Sequence, residues 1–407
     1  MRKTKNPLSR TRQPLLPPAA RSTDAHLLTA AAAKGRFALP CCTGCGRFAW
    51  PIPAVCPDCL SEMELRDVAA DGHLIAATTA EVPADRYFRE RAPWRVGFVQ
   101  LGCGPQALVH LHPAAQPGDA LRLTLMLDRA GQAVLHAGPQ GGDMTTDPQW
   151  QHMTADPRGR QVLITDARHI AALSLAEALV KAGAVAIYAG VPEIWKPLPQ
   201  RAALVSVPGL SLHPLDLTSD RSVADLARDI GGKVEILINT ADLPRPGGLN
   251  GPAAQTDARA AMETVAFGLM RLARSFGPPM AARGADGPLG AVAWVNVLSV
   301  FARVHAPGLA GYAAAHAAAL ALSHALRAEL AQGGVRLMTV LTGPTEDDWF
   351  QTFDLPKVTG KALGDAVLGG LQRGLEEVTV GDMARDLLQR LSENPKAVER
   401  AFAAGLM

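Results

Sequence analysis

Two cysteine pairs constrain this chain most: Cys42-Thr-Gly-Cys45, ten residues, then Cys56-Pro-Asp-Cys59. A Cys-x-x-Cys turn places two sulfurs on one edge of a tetrahedron, and Zn²⁺ prefers four thiolates at about 2.3 Å. Gly44 and Gly46 leave the backbone free to fold round a metal. The spacer is shorter than the ~15–20 residues of the common double-knuckle pattern, and suits a rubredoxin-like ribbon. A redox disulfide pair is the rival reading. With all four ligands in place, zinc at Cys42, Cys45, Cys56 and Cys59 is structural and leaves no open position for chemistry.

At 407 residues the chain is too long for one ordinary core, and two or three domains are expected. Four of six cysteines go to zinc, leaving Cys41 and Cys103 as ordinary thiols, so a reducing, cytoplasmic setting is expected. There is no uninterrupted apolar run of membrane-spanning length. The basic N-terminus lacks the apolar segment of a secretory signal. A formal charge of +2 and few aromatics in the barrel stretch argue against nucleic-acid binding.

Residues 1–22 carry Lys3, Lys5, Arg10, Arg12 and Arg21 with Pro17-Pro18, and read as a flexible basic arm, either solvated, or wrapped on a partner or touching CoA phosphates. Asp24 is placed to cap an alanine-rich helix over 25–34, so 23–62 forms a helix-and-ribbon unit. Over 63–140, five short β-like runs alternate with turns, as a small OB-type barrel requires. His110 and His112 share one strand face without further ligands nearby, and read as a solvent-facing or packed pair. Residues 141–159 have no period and read as a linker. From 160 to 405, strands expected at 161–166, 184–189, 211–217, 234–239, 291–298 and 335–341 alternate with Ala- and Leu-rich helices. That rhythm gives a Rossmann-like, doubly wound parallel sheet.

Two resemblances follow. The run from Gly35 through Cys42, Cys45 and Pro51 to Cys59, with the strands behind it, resembles the zinc-ribbon/OB-fold family of acyl-CoA-associated proteins. That resemblance implies a non-catalytic partner of a thiolase- or aldolase-type enzyme, in contact with acyl-CoA. Residues 160–405 resemble the short-chain dehydrogenase/reductases by order and spacing: a first β-α turn, Asn239 on the fourth strand, Ser299, Tyr312 thirteen residues on, and Thr342-Gly-Pro-Thr345. The resemblance implies a four-helix dimer interface built from the helix near 257–275 and the small-residue helix after Gly311, either with itself or with an active dehydrogenase.

Position by position, the nucleotide machinery departs from that pattern. The family's Gly-rich first turn is here Thr165-Asp166-Ala-Arg-His-Ile170-Ala-Ala172, with every glycine replaced. Glycines let the backbone approach a diphosphate and present helix N–H groups to it. Ile170 adds a branched side chain there, and Asp166 an anion. No ribose anchor ends the second strand, although Glu193 is near. Asp216 matches the adenine contact but equally reads as a helix-capping Asp. The usual Asn-Asn-Ala-Gly is Asn239-Thr-Ala-Asp242. Ser299 and Tyr312 match the catalytic pair, but His316 stands where the family has Lys, and Val265 where it has Asn. A Tyr near pKa 10 is only about 0.1% ionised at pH 7, and a mostly neutral His is a weak substitute for a Lys charge.

The expectation is therefore structural zinc, NAD(P) unlikely, and no catalytic residues. The chain reads as an accessory scaffold binding acyl-CoA and docking a thiolase- or aldolase-type enzyme. The alternative is an NAD(P)-dependent oxidoreductase of 3-oxoacyl or 3-hydroxyacyl-CoA using Ser299, Tyr312 and His316.

Overall fold

The computed structural model describes residues 14–19, 25–284, 290–351 and 356–404. Most of the expected arm, and the capping Asp24, lie outside the described residues. Within 14–19, Pro17 is buried, and a Cβ on Gly334 would lie 2.8 Å from Leu16. This short piece therefore packs on the C-terminal half.

The helix His26–Ala33 buries Leu28, Ala31, Ala32 and Ala33. It leads into β1 (Ala38–Cys42), which pairs antiparallel with β2 (Met63–Asp67), and the two cysteine knuckles hang from this ribbon. The next five strands are β3 (Asp71–Ala80), β4 (Trp94–Leu101), β5 (Gln106–Leu111), β6 (Ala120–Leu127) and β7 (Ala133–Pro139). They close into a barrel in the order β3-β4-β5-β7-β6, sealed by a parallel pairing of His110 with His136. Alternating residues such as Val109 and Leu111 on β5, and Leu121, Leu123 and Leu125 on β6, point inward and are buried.

The C-terminal half holds β8 (Gln161–Ile164), β9 (Ala186–Val191), β10 (Leu210–Pro214), β11 (Ile236–Asn239), β12 (Ala293–Ser299), β13 (Arg336–Thr342) and β14 (Glu377–Val380). All pair in parallel in the order β10-β9-β8-β11-β12-β13-β14, the doubly wound arrangement. Residues of β8, β11 and β12 are buried throughout, because helices cover both faces. One face packs on Leu272, Phe276 and Trp294, the other on Leu175, Val162 and Leu363. Six strands match expectation within a few residues. The seventh, β14, is additional; Gly374, at φ +65°, turns the chain out of helix Gly360–Arg373 and into it.

Residues 141–159, expected as a linker, are a packed joint. Asp147 caps the helix Pro148–Met153, whose single turn and a half is too short to show a hydrophobic period. Trp150 is buried and its Nε1 donates to the Gln372 carbonyl at 2.9 Å. Gln149 donates to the Leu111 carbonyl in the barrel at 2.9 Å. Arg336 on β13 reaches back with Nη1 to Met153 O at 2.8 Å, and with Nη2 to Leu127 O at 2.8 Å and Asp128 O at 3.0 Å. Barrel and parallel sheet are therefore joined by buried hydrogen bonds as well as by chain. Among the described residues, no helix is long and apolar enough to cross a membrane.

Candidate metal centre and nucleotide cleft

The four expected cysteines converge, with ligand sulfurs all within 4.8 Å of one another. Cys42 and Cys59 Sγ are 3.3 Å apart, and Cys45 and Cys56 Sγ 3.6 Å. A tetrahedron with Zn–S near 2.3 Å needs sulfur separations of about 3.8 Å, so the set fits zinc. The knuckles are built alike. Gly46 N donates to Cys42 O and Leu60 N to Cys56 O; Cys42 N donates to Arg47 O and Cys56 N to Ser61 O. Gly46 and Leu60 then occupy equivalent left-handed positions, at φ +72° and +61°. Gly44 and Cys45 amides donate to Cys42 Sγ at 3.3 Å, and backbone donation holds that thiol below its usual pKa. The Ser61 hydroxyl and amide draw Cys59 down to about 6. Both effects favour thiolate, the ligand form, at Cys42 and Cys59, whereas at Cys45, despite the Arg47 backbone contact, the neighbouring Cys42 and Cys56 thiols push the pKa up to about 12. His110 and His112 are packed: His110 Nδ1 accepts from Trp94 Nε1 at 3.0 Å, and His112 Nδ1 from Ala114 N at 3.1 Å.

The cleft where the resemblance would place a nucleotide lies where β8, β11 and β13 end. Its cavity, about 270 Å³, is lined by Arg168, Ile170, Asp242, Arg245, Thr345 and Trp349, among others. Ligand pockets usually span about 300–1,000 Å³. The first turn hydrogen-bonds to itself and its neighbours. Asp166 N–H donates to Thr240 Oγ1, Ala167 N–H to Gly190 O, and Arg168 N–H to Asp166 Oδ1. His169 N–H goes to Asp166 O, Ala171 N–H to the His169 ring Nδ1 at 3.2 Å, and Ala172 N–H to His169 O at 2.8 Å. Burial holds the His169 pKa below its usual value, which keeps Nδ1 an acceptor. Most amides of this turn are thus taken, while Ile170 N–H and the Leu173 and Ser174 N–H groups that open helix Ala172–Lys181 have no partner among the described residues.

Asp166 differs from expectation. Its carboxylate accepts from Arg168 Nε at 3.0 Å and Nη2 at 2.7 Å, so its charge is compensated locally. Thr165 Oγ1 donates to Asn239 Oδ1 at 3.0 Å, and Asn239 Nδ2 to Asn296 Oδ1 at 3.3 Å, a network buried under the cleft. Asp216 Oδ1 accepts from Thr218 N at 2.9 Å, while Ser219 caps the following helix. Glu193 pairs with Lys196.

Ser299, Tyr312 and His316 do meet, and Asp242 joins them. Ser299 N–H donates to His316 Nδ1 at 3.1 Å, so the neutral ring carries its proton on Nε2, facing Asp242 Oδ1 at 3.2 Å. Tyr312 Oη donates to Asp242 Oδ2 at 3.4 Å. The Tyr312 and His316 rings are 4.3 Å apart, linked through the carboxylate rather than by a hydrogen bond of their own. Burial, and then the Asp242 charge, push the Tyr312 hydroxyl well above its usual pKa. A tyrosine that must give and take a proton needs the opposite shift. Val265 is buried within a π-helical stretch, Met262–Phe267, and offers no polar group. Sequence spacing alone did not assign roles to Arg168, His169 or Asp242; the signal for Asp242 was an acid in place of the usual glycine after Asn239.

Comparison with known proteins agrees with both halves. A short chain dehydrogenase model matches residues 160–355, and a ChsH2 rubredoxin-like zinc ribbon domain model matches 29–65. A short chain dehydrogenase from Burkholderia cenocepacia J2315, solved in complex with NADP, is 33% identical, with a TM-score of 0.53 over 61% of this chain and 98% of that one. The chain belongs to the short-chain dehydrogenase family. Among curated members, the short-chain dehydrogenase ptmH of Penicillium ochrochloron is 28% identical over 42% of this chain, which spans 62% of that relative. The 1-deoxy-11-beta-hydroxypentalenate dehydrogenase of Streptomyces exfoliatus is 29% identical, over 49% of this chain and 73% of its own. The ribbon and barrel are an addition before the family's domain.

Proposed function

We propose that this family member is a non-catalytic accessory subunit. In this reading the ribbon and barrel bind acyl-CoA and dock a thiolase- or aldolase-type enzyme. The dehydrogenase-like domain dimerises or holds an active dehydrogenase, and NAD(P) is not its ligand. The observation that carries the reading is the first turn, whose own side chains and carbonyls take most of the amides that a glycine-rich turn would offer a diphosphate. The Asp242–Tyr312 contact supports it, because it opposes ionisation of the would-be acid/base. Zinc would be held by Cys42, Cys45, Cys56 and Cys59 and would supply folding stability rather than chemistry. Phe267 and Met270, 44% and 50% exposed on the helices next to Gly311, support a role in pairing. Tethering consecutive enzymes raises their effective concentration for shared thioesters.

The test is affinity purification of the full chain from its own cells. Stoichiometric copurification of a thiolase- or aldolase-type enzyme is expected; a stable partner-free pool contradicts the reading. Two observations favour the alternative oxidoreductase: the Burkholderia relative was solved in complex with NADP, and Ser299 and Tyr312 persist here. Micromolar NAD(P)H binding with turnover lost in Tyr312→Phe is what that alternative requires.

A further inference from the structure

The cleft is reduced rather than erased, and its free hydrogen-bonding groups are mostly donors. Asp166 is engaged by Arg168, and Asp242 by His316 and Tyr312. Asp347 Oδ1 accepts from Trp349 N–H at 3.0 Å, leaving one oxygen. Arg245 lies with its guanidinium 4.0 Å over the Trp349 ring, and no carboxylate of the described residues pairs with it. Arg168 uses Nε and Nη2 on Asp166, which leaves Nη1. Ile170 lines the same cavity, and its amide has no partner among the described residues. A planar guanidinium fixed on an aromatic face favours two-point recognition of a carboxylate or phosphate. Ile170, Leu243, Pro244 and Trp349 supply apolar wall.

We propose that this cavity binds a small organic anion, a carboxylate or phosphate monoester, through Arg245, the Ile170 amide and Arg168. The apolar wall takes its body. The proposal rests on the reading of a cleft not used for dinucleotides and deepens it, since about 270 Å³ is sufficient for a small anion. Binding needs no redox step and no second substrate.

The experiment is calorimetric titration of the zinc-loaded full chain with inorganic phosphate, with butyrate and with NADPH, in the wild type and in Arg245→Met. Saturable binding of phosphate or butyrate is expected, weakened about tenfold or more in Arg245→Met. The two probes distinguish the phosphate from the carboxylate source. Unchanged zinc content and melting temperature establish that the variant folds, and Trp349→Ala serves as a second variant expected to weaken binding. No saturation with either anion up to ~10 mM, or equal binding by wild type and Arg245→Met, overturns the proposal. Micromolar NADPH binding sinks the dinucleotide-free reading instead, and the anion result is judged separately by its dependence on Arg245.

Discussion

Replacing Arg336 by Met should separate the two halves of this protein energetically. Arg336 is buried at the end of β13 that faces the barrel, and donates to three carbonyls: Met153, Leu127 and Asp128. Met fills similar volume but donates nothing. Each orphaned buried acceptor costs about 1–3 kcal/mol. Asp128 O keeps the Gly131 N–H, so two acceptors, Met153 O and Leu127 O, would cost about 2–6 kcal/mol, but removing a buried charge relieves its desolvation penalty, the effect that lowers the Arg336 pKa here. The net loss is expected near the low end, about 2 kcal/mol. Arg336→Lys should fall between, because one ammonium cannot span the three acceptors as a planar fork does. Urea unfolding with hydrogen-exchange readout is the assay. Exchange should rise first at residues 127–130 of the barrel and 153–156 of the joint. A Met variant within ~0.5 kcal/mol of wild type, with unchanged exchange there, would refute the argument that this residue joins the halves.

Three of the four metal ligands cannot hold the ribbon, so Cys56→Ser should release zinc and unfold residues 38–67 while the parallel sheet survives; metal analysis and exchange mass spectrometry check this. His152 is held down to about 4 by burial first and then by Arg91, Arg129 and Arg160. Its folded pKa lies below the unfolded value of about 6.5, so the unfolded chain takes the proton first. Stability from this group should therefore be full above pH 6.5 and fall as pH drops toward 4, and His152→Gln should flatten that part of the urea-midpoint profile.

Much of the fold is legible in the sequence because it rests on periodicity and spacing. The cysteine pairs set the ribbon, alternation set the five barrel strands, and long apolar runs set six parallel strands. β14 escaped because Glu377–Val380 is four residues long and only half buried. The joint at 148–153 escaped because a single aromatic, Trp150, anchors it rather than a repeating pattern. In the cleft, the lost glycines were visible as letters, but their consequence was not. Asp166 looked like an unpaired anion, since a contact to Arg168 two residues on depends on the turn's backbone. His169 is an ordinary letter until its ring turns back to take the Ala171 amide. Asp242 became part of the Ser299–Tyr312–His316 cluster only once the ends of β11 and β12 and helix Ala310–Ala331 were brought together in space.

The most direct measurement of the central claim is equilibrium titration of the zinc-loaded full chain with NADPH and NADH, followed by protein fluorescence and calorimetry. With most first-turn amides already engaged and Asp242 beside Tyr312, no saturable binding is expected below about 1 mM. A dissociation constant in the micromolar range, with hydride transfer abolished in Tyr312→Phe, would contradict the account.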